Sequence, residues 1–250
     1  MVLGLSGTGL FGAAMIVAGA VVLLASGRYV WRASAVIRAD TVDSVAAVAP
    51  GSLVRLSGTA EQADADTLDA PFTGRESLVL RYAVEERRLG PFPVLPWFVT
   101  IHERAGSVPF RLRTPEGVVD VTEPTRTVTL AKDRVAIVGA DETPPDRVAR
   151  FEERTDALPS STRWRDPPTG LRTPARWLAL GTRRYTEERA SPGDDVTVVG
   201  RTTEAGGIDP LVVSDRSPAA TLRRMASTSL VGLLIGTFVV ALGAGLLLLG

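Results

Sequence analysis

The sequence predicts an α+β protein: two transmembrane helices, forming a hairpin, enclose one β-rich, mostly antiparallel, membrane-proximal domain. Three observations predict it. Residues 1–27 and 225–250 carry no charged side chain, so all 28 basic and 28 acidic groups lie between them. The middle breaks into short runs of alternating apolar and polar residues, separated by Pro and Gly turns. Arginines stand on the inner side of both uncharged runs.

The two ends come first. A spanning helix needs roughly 20 mainly apolar residues. Both runs supply them, and the spans are set at residues 3–26 and 228–249. The first run has no Lys or Arg ahead of it and is long for the apolar part of a signal peptide, so it reads as a retained anchor. Cleavage near Ala25-Ser26-Gly27 is the competing reading. In the second, Ser217 is placed to cap a helix whose first position is Pro218. Gly232 and Gly236 form a GxxxG step, Ala241 and Gly245 repeat the spacing, and Gly9/Ala13 and Ala14/Ala18 offer small faces on the first span. Such faces let helix backbones approach closely, within the chain or between copies in a homo-oligomer.

Arg28, Arg32 and Arg38 follow the first span, and Arg216, Arg223 and Arg224 precede the second. The positive-inside rule then places the middle domain in the cytoplasm. The expectation is an integral, two-pass protein of a prokaryotic plasma membrane.

Composition removes several chemistries. With no cysteine there is no disulfide, no thiol nucleophile and no Cys-built zinc site. The single histidine, His102, leaves a multi-His metal site without ligands. Zero net charge argues against nucleic acid as a partner. Arginine supplies 27 of the 28 basic residues, Lys132 being the exception. No cofactor is implied.

The middle domain is assigned to residues 40–215. A short helical pattern at Thr41–Val48 stops at Pro50-Gly51. Strand chemistry follows at Leu53–Leu56, Ser77–Glu85, Phe98–Glu103, Phe110–Arg113, Val118–Val121, Thr127–Leu130, Arg134–Val138, Val196–Val199 and Leu211–Val213. Short strands with turn residues between them suggest a barrel or a sandwich. Ser191-Pro-Gly-Asp194 places Pro and Gly where a type II turn needs them, and Thr114-Pro-Glu-Gly117 reads as a hairpin loop. Thr143, Pro144 and Pro145 open a helix on which Val148, Phe151 and Leu158 recur. Pro159–Arg176, rich in Pro and Arg around Trp164, reads as a long surface loop.

Three stretches carry a resemblance. They are Val54-Arg-Leu-Ser-Gly-Thr59 with Leu68–Ser77, Ser107-Val-Pro-Phe-Arg-Leu112 with Gly117-Val-Val-Asp-Val121, and Tyr185–Arg189 with Pro192-Gly-Asp194 and Val196–Gly200. In that order, between two apolar ends, they resemble the membrane-embedded mitochondrial ubiquitin ligase family and its GIDE or BAM ("beside a membrane") domain. Relatives that transfer ubiquitin do so through a zinc-binding RING, whose Cys and His ligands this sequence lacks. The resemblance implies an anchored GIDE/BAM-type interaction or sensing module, non-catalytic by itself. It would contact the lipid bilayer and a protein partner that the sequence does not name. The alternatives are an E3 ubiquitin-ligase-related role with a RING supplied by another chain, a carboxylate hydrolase, and a membrane organiser that self-associates through Gly232 and Gly236.

Candidate site residues follow. Leu89-Gly-Pro-Phe-Pro-Val-Leu-Pro-Trp-Phe98 is apolar and broken by proline, so it cannot be strand throughout. It reads either as a loop at the bilayer interface or a peptide-binding lip, through Phe92, Leu95, Trp97 and Phe98, or as a loop folded over the core. Arg28, Trp31 and Arg32 are candidates for lipid headgroup contact, and Gly232 and Gly236 for helix packing. His102 is expected on a strand, facing solvent beside Glu103. The acid pairs Glu85-Glu86, Glu152-Glu153, Glu187-Glu188 and Asp194-Asp195 are expected on solvated faces, because strand neighbours point apart.

Overall fold

The computed structural model describes residues 7–64, 66–90, 96–122, 124–125, 127–215 and 218–249. The chain divides into two compact units, Met1–Asp40 with Arg216–Gly250, and Thr41–Asp215. It is an α+β protein, a β-rich unit with a five-stranded barrel flanked by N- and C-terminal helices that pack together.

The first unit is a pair of helices, α1 (Gly7–Arg38) and α4 (Pro218–Leu249). Glycines set their approach. Gly12 and Gly243 face each other so closely that a Cβ on either would come within 2.7 Å of the other's carbonyl oxygen. Gly19 lies against Val240 and Gly236, and Gly232 lies against Ser26. The matching face on α1 includes Gly12, Gly19 and Ser26, a seven-residue spacing; of the expected small faces Gly9 is buried and Ala13 partly buried, whereas Ala14 and Ala18 are exposed. Phe11, Val17, Val21 and Leu24 of α1 and Leu234, Ile235 and Phe238 of α4 are exposed on the outside. The Gly7–Arg28 part of α1 is long and apolar enough to cross a membrane, a test that a signal sequence also passes. Among the described residues the apolar stretch of α4 is Gly232–Leu248, shorter than the span expected at 228–249.

The second unit is built on two large sheets and one two-stranded ribbon. Its first stretch contains β1 (Asp40–Thr41), β2 (Leu53–Gln62), β3 (Leu68–Asp69), β4 (Glu76–Ser77), β5 (Val79–Leu89) and β6 (Pro96–Ser107). Then come β7 (Phe110–Thr114), β8 (Gly117–Val121), β9 (Val128–Thr129) and β10 (Lys132–Val138). Helices α2 (Asp146–Arg154) and α3 (Arg172–Trp177) precede β11 (Arg183–Ala190), β12 (Asp195–Thr202) and β13 (Ile208–Ser214).

The barrel runs β2-β12-β13-β8-β7, and β7 returns to β2 to close it. Its neighbours are antiparallel except β13 and β8, which meet in parallel at Ile208 and Val121. This is the Greek-key closure of a small OB-type barrel. Alternation fills its interior: Val54, Leu56, Phe110, Leu112, Val119, Val196, Val198 and Val213 point inward. Arg55, Ser57 and Thr59 alternate with them on β2. Gly58 permits the closing contact, because any Cβ there would collide with the Arg113 carbonyl of β7.

The second sheet, β10-β11-β5-β6, is antiparallel throughout. β5 and β6 form a long hairpin, registered from Val79–Ser107 to Leu89–Pro96. Over that length β5 rises about 30 Å. One end of the sheet joins the barrel through the turn after Ala190, where Gly193 takes φ +93° and Asp194 N bonds the Ser191 carbonyl at 3.1 Å. At the other end Leu89 of β5 pairs with Pro96 of β6. Phe72 packs edge-on against Tyr82, Phe151 and Tyr185, with ring centroids 4.9–5.8 Å apart, and Val84, Val148 and Leu158 complete that smaller core.

Several local expectations are corrected. Thr41–Val48 is not a helix: Val42 bonds Arg55 on β2 and Val45 enters the barrel core, so tertiary contact overrides the pattern. α2 begins at Asp146 with Pro145 at its N-cap position and no side-chain cap, so Thr143 does not cap it, and Leu158 lies beyond its end. The 159–176 segment is not wholly loop, since it contains a 3-10 turn at Thr169–Leu171 and most of α3. β11 was not among the expected strands.

Candidate functional site

The four-stranded sheet gathers the charged residues that the barrel excludes. Register sets Glu86 opposite Arg183, Glu85 opposite Arg184 and Arg81 opposite Glu188. Glu86 and Arg183 are both fully buried, 3.4 Å apart. Glu86 also accepts from Arg88 at 2.8 Å and from the Thr162 hydroxyl at 3.0 Å. Arg183 donates to Glu152 at 2.5 Å and to the Pro159 carbonyl, and the Tyr185 hydroxyl donates to Glu152 as well. Burial, and then that bond, push the Tyr185 phenol far above its ordinary value. Glu187, fully buried, accepts from the amides of Phe72 and Thr73 at 2.7 and 3.2 Å and from the Thr73 hydroxyl at 2.7 Å. On the opposite face, burial pushes Glu85 up. Hydrogen bonds from Lys132, at 2.6 Å, and Arg184 outweigh it and hold the carboxyl below its ordinary value of 4.5.

The expectation of solvated acid pairs therefore fails for Glu85, Glu86, Glu187 and Glu188, all of which are buried. A signal for this was present: Arg81–Arg88 and Arg183–Arg189 carry opposite charges when run antiparallel. Buried charge persists where it is paired and hydrogen-bonded. Chemically, Glu86, Glu152 and Glu187 each accept from at least two donors, which makes them clamps for the 72–73 and 152–162 segments. Among the described residues no group of three His, Asp or Glu stands where it could hold a metal ion.

His102 also departs from expectation. Opposite Val84, beside a register shift, it sits half-buried 5.9 Å from the Tyr82 ring and 5.8 Å from Phe151, with Nε2 buried and unpartnered. Burial, with Arg104 nearby, lowers its pKa.

The far end of the sheet is the second feature. Val138, Arg183, Glu86 and Val99 lie side by side there, and the chain leaving α3 joins through Gly181 N to the Arg87 carbonyl at 2.9 Å. Five large apolar side chains of the β unit are strongly exposed among the described residues: Trp97, Val118, Ile137, Leu171 and Trp177. Trp97 and Ile137 stand on the two edge strands near this end, on opposite faces, and Leu171 and Trp177 flank α3. Trp97 is 56 % exposed and Trp177 85 %.

The candidates separate accordingly. Trp97 faces solvent, whereas Phe98 lies on the opposite sheet face beneath Arg184, whose guanidinium sits 4.2 Å from the ring centroid. Phe92 and Leu95 lie outside the described residues, as do the side chains of Trp31 and Arg32. Arg28 is exposed on α1 at the end of its apolar stretch. Gly232 and Gly236 face α1 of the same chain.

No family model matches the chain, and neither a curated protein nor a solved structure matches it.

Proposed function

We propose that this chain is a membrane-anchored, non-catalytic interaction module of the GIDE/BAM type, with the far end of its four-stranded sheet as the contact surface. The strong exposure of Trp97 on β6 and of Trp177 at the close of α3 carries the reading. Tryptophan is enriched at association surfaces relative to the rest of a protein's surface. The helix–β–helix order supports the anchor, as does the apolar exterior of the helix pair, with α4 as the second span and the β unit in the cytoplasm. The saturated carboxylates support a role without acid–base chemistry.

A photo-crosslinking amino acid tests this, placed in the full chain in its native membranes. Positions 97 and 177 should give discrete adducts, and position 118, equally apolar but on the barrel, should give none. Equal yields from all three would sink the reading.

A further inference from the structure

We propose that a cavity at the far end of the sheet binds the phosphate of an anionic phospholipid headgroup, through Arg165, Arg172 and Arg176. The proposal rests on that end being the contact surface, and names what it contacts.

The cavity, of about 360 Å³, opens between the turn after β10, the turn at 164–167 and α3. Arg165 lines it, and the Nη1 of Arg165 is buried with no acceptor in the protein. A buried donor left unpaired is rare in folded proteins and asks for a partner. Arg172 and Arg176 line it too, each holding a carboxylate only loosely: Asp166 at 3.4 Å and Asp141 at 3.6 Å, with every one of these side chains more than half exposed. Such exposed pairs are weak in water, so an incoming anion displaces them readily. A phosphate offers three oxygens, and the guanidinium fork fits them with paired, charge-assisted hydrogen bonds.

The rim distinguishes a lipid phosphate from a soluble one. Trp177, the last residue of α3, is 85 % exposed, and Leu171, just before α3, is 58 % exposed. Tryptophan favours the headgroup level of a bilayer, where its ring is apolar on one side and wet on the other. Arg163 adds a further cation beside the cavity, its guanidinium 4.9 Å from the ring centroid of Trp164, which lines it. Anionic lipid surfaces attract such clusters.

The test uses the full chain in non-ionic detergent, with Trp31→Phe and Trp97→Phe so that fluorescence reports Trp164 and Trp177. Short-chain phosphatidylglycerol, short-chain phosphatidylcholine and inorganic phosphate are titrated separately. Phosphatidylglycerol should bind about tenfold tighter than either, and Arg172→Gln with Arg176→Gln, both exposed and harmless to the fold, should remove about that factor. Arg165→Gln should weaken binding further. An equal response to the two lipids overturns the proposal, as does saturation by inorganic phosphate at the lipid's own concentration. Crosslinking from position 97 reads the contact surface separately. Adducts there without headgroup selectivity overturn the headgroup site alone, whereas loss of both overturns the contact surface as well.

Discussion

In the barrel, Leu56, Phe110, Leu112 and Val198 meet in an apolar interior, while the central strands of the neighbouring sheet meet as Glu86 on Arg183 and Glu85 on Arg184. The two regions solve register differently. Apolar alternation tells a strand which face to bury but is blind to a slip of two residues. The charged strands are not blind to it. Sliding β11 by two residues would set Arg183 against Val84 or against Arg88, leaving Glu86 buried without its arginine. Apolar packing therefore supplies bulk stability, and the ion pairs supply a single alignment.

The largest expected effect breaks the sheet. Arg183→Ala leaves Glu86 and Glu152 facing each other without their shared cation and should cost about 3–5 kcal/mol. Chemical denaturation of the full chain in detergent measures it. Replacing the set together, with Glu86→Met, Arg183→Leu and Glu152→Leu, should cost far less or even stabilise. If the triple variant is as damaged as the single one, the charges do more than fix alignment. In the barrel, Leu56→Ala should cost about 2–5 kcal/mol, with no comparable rescue by a second substitution.

Acid should act on the sheet in two stages. The lowered pKa of His102 means the unfolded chain takes its proton first, so this contribution is present above 6.5 and is lost as pH falls through the folded value. The lowered pKa of Glu85 gives stability present above 4.5 that is lost at still lower pH. His102→Phe should flatten the upper stage of a stability–pH curve and leave the lower one, and Glu85→Gln should do the reverse. The smallest effect is expected at the far end. Trp97→Ser and Trp177→Ser should shift stability by no more than about 0.5 kcal/mol while reducing crosslinking or lipid response.

The same contrast decides what was legible from sequence. Strand patterns at Leu53–Leu56, Phe110–Arg113, Val118–Val121, Val196–Val199 and Leu211–Val213 all fall within barrel strands, because period-two apolarity is local. β11 was illegible for the opposite reason. Arg183-Arg-Tyr-Thr-Glu-Glu-Arg-Ala190 reads as surface, and what buries it is the complementary charge on β5, about a hundred residues earlier. The proline-broken segment at 89–98 was recognisable as interrupted, and its described part, Pro96–Phe98, belongs to β6 and pairs with β5. Which way Trp97 and Phe98 point depends on register and on Arg184, which no local pattern encodes. The arginine cavity was hidden because its walls come from residues 140–141 and 164–180, joined only when β10 and β11 pair.

The helix pair has a consequence in time. α1 is synthesised first and α4 last, with the whole β unit between them. At 5–20 residues per second the interval lasts about 10–40 s. Throughout it Gly12, Gly19 and Ser26 form an uncovered groove, whose own ridge has not yet been made. A neighbouring nascent chain meets that groove on equal terms. Slowing translation between the two helices should therefore raise the yield of mispaired products, while a bulky residue at Gly12 should remove the wrong pairing and the right one together.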